Sequence, residues 1–125
     1  MTAEQIAPIV HEAIRAFQKV LGQEPSPPWE DATWERDSTL EGVNFALSDP
    51  TPGHQHDQWM EERLAAGWKW GPEKDNEAKT NPTLVPFAKL PESEQAKDIL
   101  LIAITNALKD VQTLPLTRHI PAPAT

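Results

Sequence analysis

Apolar residues recur at helical spacing from the start of the chain. Ile6, Ile9, Val10, Ala13, Ile14, Phe17, Val20 and Leu21 form one stripe, which predicts an amphipathic first helix. Thr2 followed by Gln5 fits a capping box at its start, and Gly22 fits the left-handed residue that ends it. Pro25-Ser26-Pro27-Pro28 reads as a rigid connector, with Trp29 anchoring it in the core. A second helix is expected from about Asp31 or Thr33 to Leu47, with Trp34, Leu40, Val43 and Leu47 on or near one face. Gly42 is its weak point. After the turn cluster Asp49-Pro50-Thr51-Pro52-Gly53, a third helix runs from about Pro52 or His54 to Ala66 and closes at Gly67. On it, i, i+4 spacing puts Trp59 and Arg63 on one side, with His56 and Met60 beside them.

From Trp68 to Leu90 no period is sustained. Gly71, Pro72, Pro82 and Pro86 interrupt it, so an ordered irregular loop is expected, with short extended pieces at Trp68–Trp70 and Leu84–Phe87. Pro91 suits the first position of a last helix, with Glu92 and Glu94 in its first turn, running to about Val111. Ile99 to Ile104 are apolar on nearly every side, so this helix is either central or has one face covered by a partner. Residues 114–125 end in Pro121-Ala122-Pro123-Ala124-Thr125 and are expected to be a mobile tail. The expected fold is mainly α: about four helices with a long irregular Trp/Pro-rich segment.

Composition narrows the setting. The 125 residues have room for one domain, and 13 prolines with a mean hydropathy of -0.54 describe a loop-rich soluble chain. No apolar run approaches the roughly 20 residues of a membrane span. No signal peptide is visible, and zero cysteines exclude disulfides, thiolate zinc sites and cysteine nucleophiles. A cytoplasmic setting is the simplest expectation. The net charge of -8 argues against DNA and anionic membranes as partners. Between Gln23 and Asp49 seven acids face a single base, Arg36. From Arg63 to Lys89 the charges come closer to balance, so Arg63, Lys69, Lys74 or Lys79 can meet a small anion locally.

Candidate chemistry concentrates where three of the five tryptophans, Trp59, Trp68 and Trp70, fall within twelve residues. An indole one turn from a guanidinium, as in Trp59 and Arg63, suits a flat ligand with a negative end. Core packing is the plainer reading for Trp68, which follows the helix-ending Gly67, and Trp70 is read as structural. Gly71-Pro72-Glu73-Lys74-Asp75-Asn76 either cradles an anion or is a turn held by Asp75; it lacks P-loop spacing. His54-x-His56-Asp57 is a poor metal motif, and His11-Glu12 lacks the second histidine of a zinc protease. No nucleophile motif is present. Neither enzymatic activity, nor a metal, nor a cofactor is expected.

Taken together, several elements resemble the RyR domain, the repeat of ryanodine receptors, which also occurs as a free-standing protein in bacteria and phages. They are His56-x-x-Trp59, Arg63, Gly67-Trp68-Lys69-Trp70-Gly71-Pro72, Lys74-Asp75, Asn81-Pro82-Thr83-Leu84-Val85-Pro86-Phe87 and Leu90-Pro91-Glu92. Trp70 stands where that family usually has tyrosine. The resemblance implies a single domain over residues 1–113, with a helical extension over 1–50 and the repeat over 51–113. It also implies an adenine nucleotide or related signal as ligand. Its base would stack on Trp59, its phosphates would face Arg63 and Lys74, and Asn81 would hydrogen-bond to it. Asp98 falls where the receptors tend to have Asn, so a carboxylate would repel phosphate there while accepting from a base amine or ribose hydroxyl. Paired repeats form such clefts in the channels, so a homodimer bringing two Trp59 side chains together is expected. The alternative reading is a protein-interaction or scaffold module using exposed aromatics and the acidic helix around Glu35–Glu41. A nucleotide hydrolase is a third.

Overall fold

The capping box at the chain start forms: Gln5 donates its amide to Thr2 Oγ1 at 3.3 Å and Thr2 donates its own to Gln5 Oε1 at 2.8 Å. It opens helix α1, Ala3–Val20, in a computed structural model that describes residues 1–113. The expected tail, 114–125, lies outside the described residues. A 3-10 turn at Trp29–Asp31 leads to α2 (Trp34–Ser48) and then α3 (Pro52–Ala65). Two short strands follow, β1 (Lys69–Trp70) and β2 (Thr80–Asn81), then a second 3-10 turn at Phe87–Lys89 and α4 (Glu92–Leu108). Helix dominates, as the periodicity implied.

Both glycine-terminated helices end the same way. Gly22 (φ +75°) and Gly67 (φ +91°) occupy the left-handed region that a side chain disfavours. After α1, Gln23 donates to the Gln18 carbonyl and Gly22 to that of Lys19; after α3, Trp68 donates to Arg63 and Gly67 to Leu64. These are paired Schellman bonds. The second one turns Trp68 back over α3, where it is buried.

The core forms where α1 meets α2 and α4. Ala3, Ile6, Ala7, Val10 and Val43 are buried together, with Leu40, Leu101, Ile104 and Leu108 packed around them. The buried stripe of α1 is rotated from the one expected: Ile9 and Val20 are exposed, while His11 and Gln18 are buried. The two polar residues are inside because they hold the connector. His11 Nε2 donates to the Pro27 carbonyl at 2.7 Å, and Gln18 Oε1 accepts from the Ser26 amide at 2.8 Å. Trp29 packs edge-on against His11, with ring centroids 5.5 Å apart. Helix α4 packs against all three other helices, the central placement its apolar composition implied. It begins one residue later than expected, with Pro91 as the cap, and ends at Leu108. No described helix is long and apolar enough to cross a membrane.

The irregular segment is organised by a parallel pair, Lys69 opposite Thr80 and Trp70 opposite Asn81. The first extended piece is thus where it was expected. The second is Thr80–Asn81 instead of Leu84–Phe87, within which Pro86 cannot donate to a ladder. Asp75 Oδ1 accepts from the amides of Glu77 and Ala78 at 2.9 and 3.1 Å. Asp75 therefore holds a turn over residues 76–79, closed by its bridge to Thr80. Gly71 is buried beside β2, and a Cβ there would come within 2.6 Å of Thr80 Cβ. Gly71→Ala is expected to lower unfolding free energy by about 1–3 kcal/mol through overpacking, read by urea denaturation.

Candidate ligand-binding site

Between the N-terminal helices and α4 lies a cavity of about 490 Å³, within the roughly 300–1,000 Å³ range of small-molecule sites. Helix α1 contributes Val10, His11, Ile14 and Gln18, and the connector adds Gln23, Glu24 and Ser26. The first turns of α2 supply Trp34, Glu35, Ser38 and Thr39, and α3 supplies His56 and Trp59. The irregular segment brings Lys74, Asn81, Pro82, Thr83 and Leu90; α4 brings Glu94, Lys97, Asp98 and Leu101. One chain lines both sides, so a second copy is not needed to form this cavity.

Of the residues singled out from sequence, Trp59, Lys74, Asn81 and Asp98 line the cavity, and Arg63 does not. Arg63 is only 7% exposed. Its guanidinium lies over the Trp34 ring, 4.4 Å from the centroid, and 6.0 Å from that of Trp68. It also donates to Glu62 Oε1 at 2.8 Å. The expected pairing of Arg63 with Trp59 is replaced because the turn after α3 brings Trp68 back beside Arg63, where it meets Trp34 of α2 with ring centroids 5.2 Å apart. Arg63 is thus a packed cation set off the cavity wall. Lys79 is likewise occupied, donating to the Ala66 carbonyl at the end of α3.

Trp59 stacks on His56, with centroids 5.6 Å apart and planes 25° apart. His56 donates Nε2–H to the Val85 carbonyl at 2.7 Å, leaving Nδ1 turned toward Asp98 Oδ2 at 3.7 Å. That gap is beyond hydrogen-bond range. Burial pushes the Asp98 carboxyl up to about 7; Glu94 pushes the same way and Lys97 opposes. Lys97 is committed, bridging to Glu94 Oε2 at 2.6 Å and donating to Gln23 Oε1 at 2.7 Å. The chain after α1 is thereby tied to α4 across the cavity. Lys74 remains exposed as a residue, yet enough protein surrounds its ammonium for burial to lower its pKa. Lys97 adds to the depression, while Glu35 and Glu94 oppose it. His54, by contrast, bonds to Asp49 Oδ2 at 2.8 Å, so the two histidines of the His-x-His pair serve different partners.

Several lining residues escaped the sequence reading. Glu35 sits in an acidic run that reads as a solvated face, yet it is 7% exposed and lies on the cavity wall. Its Oε1 accepts from the Thr33 amide at 3.1 Å, the one local signal of an inward turn. Asp37 and Glu41 of the same run are exposed. Trp34 reads as a core residue, and Lys97 as a surface partner of Glu94 at i, i+3. Asn81 is buried; its Oδ1 accepts from the Thr83 amide and hydroxyl at 2.9 and 2.6 Å. Its Nδ2 meets no acceptor among the described residues. The arrangement offers a flat aromatic wall with hydrogen-bonding and charged groups around it, which is what small-molecule recognition requires.

Two outcomes follow for the free protein. Asp98 has a raised folded-state pKa, so it favours folding fully below about pH 4. That contribution is lost as pH rises through about 7. Asp98→Asn is therefore expected to flatten the fall in stability across this window and to exceed the parent in stability at pH 8, measured by denaturant titration at a series of pH values. Arg63→Ala is expected to cost about 2 kcal/mol or more, because it removes a packed cation and leaves a void beside the Trp34–Trp68 pair. Thermal unfolding followed by circular dichroism reads this.

Comparison with known families bears on residues 38–117, which match the family model described as the RyR domain. The match covers about two thirds of the chain and begins inside α2, earlier than the boundary at residue 51 expected from sequence. Helix α1, the connector, Trp34 and Glu35 precede it, yet they form one side of the cavity. On the extent of that match, the chain belongs to the RyR domain family.

Proposed function

We propose that this protein is a non-catalytic binding module for a small ligand of the adenine-nucleotide or nucleotide-derived class. The base stacks against Trp59, on the side away from His56. Asn81 Nδ2 donates to the ligand, Asp98 accepts from a base amine or ribose hydroxyl, and Lys74 meets a negative group. Arg63 has no part in this version of the site, since it is buried off the cavity wall with its guanidinium over Trp34. The observation that carries the reading is the convergence of Trp59, Lys74, Asn81 and Asp98 on one cavity although 39 positions separate the first from the last. Pairing of two copies would extend such a site, not create it.

Intrinsic tryptophan fluorescence tests the reading, with titrations of ATP, ADP, AMP, NAD, ADP-ribose and cyclic nucleotides. Saturable quenching is expected for at least one of them. Trp59→Ala is expected to weaken that binding by about 1–3 kcal/mol, the range for a base stacked on an aromatic side chain. Unchanged affinity in the variant overturns the stacking role. A flat response from folded protein favours the protein-contact reading instead, for which Trp70, 56% exposed, is the natural anchor.

A further inference from the structure

We propose that the cavity selects a neutral or singly charged, donor-rich heterocycle, of the nucleoside or amino-substituted base class, over nucleoside di- and triphosphates, with Glu35 and Asp98 receiving its N–H groups. This rests on the binding reading above and narrows it.

The argument starts from hydrogen bonds left open. Glu35 is more than nine-tenths buried on the cavity wall, and only its Oε1 has a donor; Oε2 meets none among the described residues. That oxygen keeps solvent access, so it is free to accept a ligand N–H. Asp98 has a side chain 18% exposed and no hydrogen-bond donor among the described residues; His56 Nδ1 stands 3.7 Å off. The Asn81 Nδ2 amide is an unused donor on the same wall, suited to a ring nitrogen or hydroxyl. Two open carboxylates and one open amide on an aromatic-lined cavity complement an amino-heterocycle.

The cations point the same way. A polyphosphate needs several free positive groups. Arg63 faces away into Trp34, and Lys97 is held by Glu94 and Gln23. Lys74 is the one lining lysine without an ion-pair partner among the described residues, and four carboxylates, Glu24, Glu35, Glu94 and Asp98, share the walls with it. One negative ligand charge can be met there. Three or four would face uncompensated carboxylates in a partly desolvated space.

Proton linkage supplies an independent readout. Near neutrality the Asp98 carboxyl, with its pKa at about 7, is only partly ionised. Beside it stand His56 from α3 and Glu94 and Lys97 from its own helix, while Glu35 from α2, His11 from α1 and Lys74 from the irregular segment line the same cavity. A ligand that donates to Asp98 favours its ionised form and releases protons. A polyanion holds the proton on and draws more in.

The experiment is calorimetric titration of the full chain with adenosine, AMP and ATP, near neutral pH, in two buffers of different ionisation enthalpy. Expected are an affinity order adenosine, AMP, ATP, with ATP weaker than adenosine by at least about tenfold, and proton release on adenosine binding. Glu35→Gln and Asp98→Asn, which keep side-chain size, are each expected to narrow the adenosine-to-ATP ratio. ATP binding as tightly as adenosine or more so, proton uptake with adenosine, or an unchanged ratio in both variants overturns the proposal and leaves the binding reading standing. No heat with any of the three, from folded protein, overturns both.

Discussion

A buried guanidinium lying against a pair of touching indoles, Trp34 and Trp68, joins the two parts of this protein. Arg63 belongs to α3, within the family match; Trp34 belongs to the start of α2, ahead of it; Trp68 folds back from the turn that follows. A desolvated cation over an aromatic face is attracted by the ring quadrupole, and the long aliphatic stem of Arg buries apolar area as well. The contact fixes the first turn of α2, and with it the positions of Trp34 and Glu35 on the cavity wall. The Schellman turn at Gly67 is its precondition, because only a reversed chain can bring Trp68 onto the helix it has just left.

The N-terminal helix shows the cost of building a cavity into a small core. A helix evolved only for packing would bury Ile9 and Val20 and expose His11 and Gln18. Here the reverse holds, since His11 and Gln18 satisfy backbone groups of a proline-rich connector that has no regular structure of its own. Buried polar groups are tolerated when they are hydrogen-bonded, and these two, with Arg15 Nε on the Ser26 carbonyl and Glu12 on the Trp29 amide, hold the connector as one rim of the cavity. Gln23 completes that rim by reaching Lys97 and Glu94 on α4.

The electrostatics of the cavity cannot be explained by stability alone. Lys97 and Glu94 neutralise one another at 2.6 Å, but Glu35 and Asp98 keep oxygens without donors. Asp98 responds by holding its proton to about pH 7. Burial, more than any charged neighbour, is the cause of that shift.

The amino-acid sequence by itself determined the helices, their caps and the chemistry of one wall. Thr2 and Gln5, Gly22, Gly67 and the turn at Asp75 act through bonds spanning a few residues, and such bonds can be read directly from spacing. Trp59, Lys74, Asn81 and Asp98 were also legible, through the family motif that carries them or the positions that follow it. Only the tertiary structure decided the rest. Arg63 and Trp59 share a helix face at i, i+4, but whether a guanidinium turns to one indole or another depends on which elements arrive beside it, and Trp34 arrives from a separate helix. The stripe of α1 likewise shows which residues share a side, not which edge of that side meets α2. Glu35 looks like a solvated acid in an acidic run because charge patterning carries no depth. Its burial follows from α1, the connector and α4 closing around it, contacts between residues far apart in the chain that no local pattern encodes.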